Sequence, residues 1–200
     1  MKAIFTLLSG FATPVFAAAI MCSLPLAADG AQVKQTALPA NSVYQLPVSF
    51  TDQDGRASTL ADWRGKPVLV TMFYSSCQFV CPRIVEALKK TEASLSPQQA
   101  KLPILMVSFD PVRDDSATLK AMAVERHIDF GNWTLARTDA RSVRKLAAML
   151  GIQYRELSSG EFNHSSVILL LDAEGRIAGK TSTLGEADPA FVKLVRKLKP

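Results

Sequence analysis

The chain alternates between solid apolar runs and helical stripes. Val68-Leu69-Val70-Thr71-Met72-Phe73-Tyr74 is a continuous β-rich run, and Leu102-Pro103-Ile104-Leu105-Met106-Val107-Ser108-Phe109 is a second. Runs of this kind mark strands buried on both faces. Val48-Ser49-Phe50 predicts a short strand that turns at Asp52-Gln53-Asp54-Gly55, and Trp133-Thr134-Leu135-Ala136 predicts another. Val167-Ile168-Leu169-Leu170-Leu171 and Arg176-Ile177-Ala178 flank Asp172-Ala173-Glu174-Gly175, which reads as a hairpin.

The helical stripes fall between these runs. One helix begins near Cys81-Pro82, because proline suits a first helical turn; Ile84, Leu88 and Leu95 form its apolar side. Asp114 or Asp115 can cap the next, with Leu119, Met122 and Ala123 buried. Val143, Leu146, Ala147 and Leu150 predict a helix over 140–150, closed by Gly151. Phe191, Leu194, Val195 and Leu198 repeat the spacing at the C-terminus. Parallel crossovers, then an antiparallel hairpin, then a last helix make an α/β, thioredoxin-like fold, a central mixed sheet flanked by helices.

The N-terminus follows a different pattern. After Met1-Lys2 no charge occurs until Asp29, and the stretch between is apolar and then rich in small residues. That is the layout of an export signal, with cleavage expected after Leu26-Ala27-Ala28 or Ala17-Ala18-Ala19; the stretch is also nearly long enough to be an uncleaved membrane anchor. The expected organisation is a signal peptide or anchor at 1–28, a polar linker at 29–44 and one domain at 45–200. That domain is expected in the periplasm, soluble or held at the inner membrane. The formal charge of +5 is spread along the chain without a basic, aromatic-interleaved stripe, so nucleic acid is not the expected partner.

The chain has three cysteines, Cys22, Cys77 and Cys81. Cys22 falls in the targeting segment behind Ile20-Met21, which lacks the small residue expected before a lipid-modified cysteine. The exported domain keeps two thiols, four apart. In an oxidising compartment such a pair is a disulfide, a redox couple or a metal site. A disulfide closing so short a loop would add little stability. Cys77 and Cys81 are expected where a buried strand meets a helix N-terminus, which favours thiolates. Thiolates suit Cu(I), zinc or iron–sulfur clusters. Structural zinc wants four cysteine or histidine ligands, and a cluster wants more thiols than the domain has. Counting favours copper if any metal binds.

Of the two histidines, His164 is the stronger third ligand. It lies in the polar stretch Gly160-Glu161-Phe162-Asn163-His164-Ser165-Ser166, read as a loop before a central strand, whereas His127 ends a helix and is expected at the surface. Between Pro111 and Pro189 there is no proline, so the proline that faces the cysteines in thioredoxin-type oxidoreductases has no counterpart; His164 stands about where it would fall. Met72, Met106, Met122 and Met149 are expected in the core rather than in a copper relay.

Three segments, Phe73-Tyr74-Ser75-Ser76-Cys77-Gln78-Phe79-Val80-Cys81-Pro82, Val107-Ser108-Phe109-Asp110-Pro111-Val112-Arg113-Asp114 and Asn163-His164-Ser165-Ser166, resemble the Sco/SenC family of copper chaperones for cytochrome oxidase assembly. The resemblance implies coordination of copper, as Cu(I) with Cu(II) a second state, by Cys77, Cys81 and His164. It implies delivery to the binuclear copper site of cytochrome c oxidase subunit II or to another copper-requiring protein. An upstream copper donor and a thiol reductant are further implied partners. Asp110 is similar to the family's acidic residue near the site. Many relatives carry Pro-Asp where this chain has Gln78-Phe79, and Asp where it has Asn163; both changes remove negative charge near the metal. The competing reading is a thiol–disulfide oxidoreductase that keeps partner cysteines reduced and needs only Cys77 and Cys81. A peroxide-reducing enzyme is a third reading, disfavoured by the second thiol.

Overall fold

A computed structural model describes residues 37–198. The expected signal or anchor at 1–28, with Cys22, and the first part of the expected linker lie outside these residues. No helix among the described residues is long and apolar enough to cross a membrane.

The main sheet has seven strands. In chain order these are β1 (Ser49–Asp52), β2 (Ala57–Thr59), β3 (Val68–Phe73), β4 (Ile104–Ser108), β5 (Trp133–Arg137), β8 (Ile168–Leu171) and β9 (Ile177–Thr181); β6 (Tyr154–Glu156) and β7 (Phe162–His164) pair separately. The spatial order is β2-β1-β5-β4-β3-β8-β9. Strand β4 runs parallel to β3 and β5, while β8 is antiparallel to β3 and β9 to β8. Every residue of β3, β4 and β8 is buried, as their unbroken apolar runs require. This is the mixed sheet read from the sequence.

Four helices cover the sheet: α1 (Val80–Ala93), α2 (Ser116–Glu125), α3 (Ala140–Met149) and α4 (Pro189–Lys197). Asp115, not Asp114, caps α2 by accepting from the Thr118 N–H at 2.7 Å. Asp139 and Asp188 cap α3 and α4 in the same way. The exception is α1, whose N-cap residue Phe79 makes no side-chain cap bond, so its first N–H groups remain available to a sulfur.

Several features differ from the sequence expectation. Ser42, Val43 and Tyr44, assigned to the linker, are buried. The Ser42 hydroxyl donates to the Glu174 carbonyl at 2.5 Å, and Val43 N–H donates to the Gly175 carbonyl at 2.9 Å. The chain therefore packs against the β8–β9 turn before residue 45. Met72, Met106 and Met122 are in the core, but Met149, the last residue of α3, is 38% exposed. Short β2 and the β6–β7 hairpin were not anticipated. His164 is thus the last residue of a strand rather than part of a loop.

Candidate metal centre

Strand β3 ends at Phe73, and residues 74–79 lead into α1. The Cys77 N–H donates to the Tyr74 carbonyl at 3.3 Å, which closes a tight turn and aims the Cys77 side chain at the helix start. The turn is pinned from beneath by Asp114. This carboxylate is buried, accepts from the Ser75 N–H at 3.0 Å, and also accepts from the Ser75 and Ser108 hydroxyls. The residue proposed from sequence as a helix cap instead ties the cysteine turn to the end of β4.

Cys77 and Cys81 are free thiols and both are buried. The Cys81 N–H points at Cys77 Sγ from 3.3 Å. The Cys81 thiol also donates to Cys77, and this bond, with further help from His164 and the N–H groups of Cys81 and Val80, lowers the Cys77 pKa to about 3 against the opposing effect of burial. The same bond, together with burial, pushes the Cys81 thiol well above its ordinary value. One proton is shared by two sulfurs: Cys77 is the thiolate and Cys81 the donor.

His164 reaches this pair from the other end of the fold. One ligand atom from each of Cys77, Cys81 and His164 lies within 4.8 Å of the others, and this is the one such group of three among the described residues. His164 Nδ1 is 3.2 Å from the Ser165 carbonyl. A carbonyl can only accept, so this contact belongs to the tautomer with its hydrogen on Nδ1, which leaves the Nε2 lone pair for a metal; the hydrogen bond that His164 gives the Cys77 thiolate instead needs a hydrogen on the nitrogen facing the sulfur. The ring lies 4.9 Å from Phe109 and 5.9 Å edge-on from Tyr74, centroid to centroid. Tyr74, Cys77, Phe79, Glu161, Phe162 and His164 line a cleft of about 210 Å³ beside the sulfurs. The donor set fits a soft monovalent ion: two sulfurs and one imidazole, mostly shielded from water. A closed zinc site would need a fourth nitrogen or sulfur, which the group does not supply.

The other sequence candidates fall elsewhere. His127 is exposed and lies two residues past the end of α2 with φ 50°, at the surface as expected. Asp110 is buried near the site but is not in the ligand group; it accepts from the Arg113 N–H and guanidinium. The sequence reading missed Glu161, which accepts from the Tyr74 hydroxyl at 2.6 Å, and Arg113, whose guanidinium donates to the Gly160 carbonyl. Arg113 was visible only as part of the second family-like segment.

Comparison with known proteins bears on the family and the fold. The SCO1/SenC family model matches residues 36–199. The SCO1 protein homolog of Bacillus subtilis is 23% identical over 154 residues, covering 76% of this chain and 78% of that protein. The mitochondrial SCO2 homolog of Bos taurus is 30% identical over 153 residues; these are 72% of this chain but only 56% of the bovine protein, so the chain spans little more than half of that relative. Among solved structures, Arabidopsis thaliana ScoI with copper bound superimposes with a TM-score of 0.65 at 18% identity, covering 76% of this chain and 98% of that one. With the family model matched across all of the described residues, this chain belongs to the SCO1/SenC family.

Proposed function

We propose that this protein is a copper chaperone that carries Cu(I) on Cys77, Cys81 and His164 and delivers it to the binuclear copper site of cytochrome c oxidase subunit II. The observation that carries the reading is the convergence of three donor atoms within 4.8 Å, drawn from a strand–helix turn and from a hairpin 83 residues later. Two cysteines and one histidine are a poor structural set for zinc and a good transport set for Cu(I). A carrier must also release its cargo. Both cysteines are buried while His164 is half-buried along the cleft, so a recipient's ligand can displace the imidazole first and then take the ion from the sulfurs.

Loading follows from the proton arrangement. Cys77 offers a thiolate at neutral pH, Cys81 gives up the single shared proton as the ion enters, and His164 binds through Nε2. Supporting the copper reading, a copper-bound ScoI is among the structures of the same fold. The export pattern of residues 1–28 supports placement in the periplasm, soluble or anchored at the inner membrane, with an upstream copper donor and a thiol reductant as further partners.

The second reading is thiol–disulfide reduction of a partner. It is favoured by the thiolate at Cys77 and its contact with the Cys81 thiol, an arrangement also suited to exchange. Anaerobic Cu(I) titration of the reduced protein, with X-ray absorption to count sulfur and nitrogen, separates the two. The expected result is one Cu(I) with two sulfurs and one nitrogen, and a His164→Ala variant that binds much more weakly. A His164→Ala variant with undiminished affinity and full activity, alongside inactive cysteine variants, would select the reductase.

A further inference from the structure

The β6–β7 hairpin that carries His164 has three residues per strand and pairs with no strand of the main sheet. A two-stranded hairpin this short does not hold its place alone. Its position is set by side chains that grip it: Tyr154 of β6 stacks on Phe109 with ring centroids 4.9 Å apart, and the polar grip falls on residues 160 and 161. The Arg113 guanidinium donates to the Gly160 carbonyl at the turn, and its carbon lies 5.9 Å from the centre of the Phe162 ring. Gly160 has φ +82°, and a Cβ there would sit 3.2 Å from Arg113 Nη1, so the guanidinium is seated directly against the turn. From the far side of the cleft, Tyr74 donates to Glu161 at 2.6 Å.

Phe162 and His164 are two apart in one strand and therefore share a face. Both rings meet Phe109 and Tyr74. A shift of Phe162 is consequently a shift of the imidazole relative to the two sulfurs. Asp110 completes the device: its buried carboxylate accepts from the Arg113 backbone N–H and from Nε, orienting the fork toward Gly160.

We propose that Arg113, held by Asp110, is a positioning residue for His164: it latches the β6–β7 hairpin so that the imidazole stays at the thiol pair. This rests on the metal assignment above and gives Asp110 a role through Arg113 rather than as a ligand. The Arg113 side chain is 44% exposed, so its loss does not empty the core.

The test uses the reduced full-length chain and Arg113→Ala. In the metal-free protein, amide exchange in residues 154–164 is expected to accelerate about tenfold, the loss of one charge-assisted hydrogen bond, with the main sheet unchanged. Unchanged exchange in the hairpin overturns the latch. In Cu(I) competition titrations Arg113→Ala is expected to bind about 10–100-fold more weakly and to lose nitrogen scattering, the range typical of residues that orient a metal ligand. Arg113→Lys, which keeps the charge without the fork, recovers part of the affinity. In a His164→Ala background the same Arg113→Ala change has no further effect; an equal fall there would show that Arg113 acts on the fold and not through His164. A wild-type chain that takes up no Cu(I) would instead defeat the chaperone reading, and the exchange measurement would still decide the latch.

Discussion

Cys77 Sγ lies 3.3 Å from the backbone N of Cys81 and accepts a second hydrogen bond from the thiol of that same residue. One residue thus supplies both the fixed and the removable stabiliser of the Cys77 thiolate. The fixed part belongs to the uncapped helix start; the removable part leaves when the Cys81 proton does.

Alkylation separates these contributions. With a folded pKa of about 3, Cys77 is a thiolate at every pH above that value, whereas an ordinary thiol of pKa 9.0 gains about tenfold in thiolate for each unit between 5 and 8. The iodoacetamide rate at Cys77, read by peptide mass spectrometry on the reduced protein, is expected to be nearly flat over pH 5–8, with Cys81 protected throughout. Cys81→Ala removes the leading cause of the shift, so its profile should climb with pH. A wild-type profile that already climbs tenfold per unit would contradict the shared-proton arrangement.

Asp114 is expected to matter for the site without touching the metal. Asp114→Ala would remove the acceptor of the part-buried Ser75 N–H and hydroxyl and of the buried Ser108 hydroxyl. Leaving buried donors unpaired costs about 2–4 kcal/mol in total, which for a domain of this size lowers Tm by roughly 5–15 °C. Calorimetry checks the stability. Cu(I) titration below the transition is expected to show weaker binding as well, because Ser75 lies two residues before Cys77. A variant with wild-type Tm would show that the turn is held by other contacts.

Glu92 ties α1 to the start of β5. Its two oxygens accept from Asn132 at 2.6 Å and from the buried Trp133 indole N–H at 2.9 Å. Burial, as the leading cause, raises its pKa above the usual 4.5. The native state therefore holds this proton to higher pH than the unfolded chain, and the group's contribution to stability falls as pH rises through that window. Urea unfolding of wild type and Glu92→Gln at pH 4 and 7 isolates the effect. The wild type is expected to lose ground relative to the variant at the higher pH. Glu92→Ala, which leaves the indole N–H without a partner, should cost about 1–3 kcal/mol.

What could be read from the sequence follows the physics of each element. Strands β3, β4 and β8 announce themselves because burial on both faces demands unbroken apolar runs, and α3 because it buries one stripe. The grouping of Cys77, Cys81 and His164 was legible because the domain holds only two cysteines and two histidines. The β6–β7 hairpin was not legible. Tyr154-Arg155-Glu156 and Phe162-Asn163-His164 each offer one apolar residue in three, too short for any period to show, and the hairpin is half-exposed. Its placement depends on Arg113 and Tyr74, 47 and 87 residues from their partners. Local pattern carries no record of contacts at that separation. Tyr44 was misplaced for a related reason: a polar, proline-containing approach hides the two apolar residues that dock.

That docking is testable at Gly175. The residue has φ +80° in the β8–β9 turn, and a Cβ there would lie 2.6 Å from the Tyr44 ring and 2.8 Å from the Ser42 hydroxyl. Gly175→Ala therefore combines a left-handed backbone with a clash that the buried Tyr44 cannot relieve without leaving its site. The expected cost is about 2–4 kcal/mol. Gly55, also left-handed at φ +77° but with nothing near its Cβ position, is the control. Gly55→Ala should show the backbone cost alone. If the two variants unfold at the same urea concentration, Ser42 and Tyr44 contribute nothing at that turn. If Gly175→Ala is the weaker and deletion of residues 1–44 reproduces its loss, the folded unit begins before residue 45.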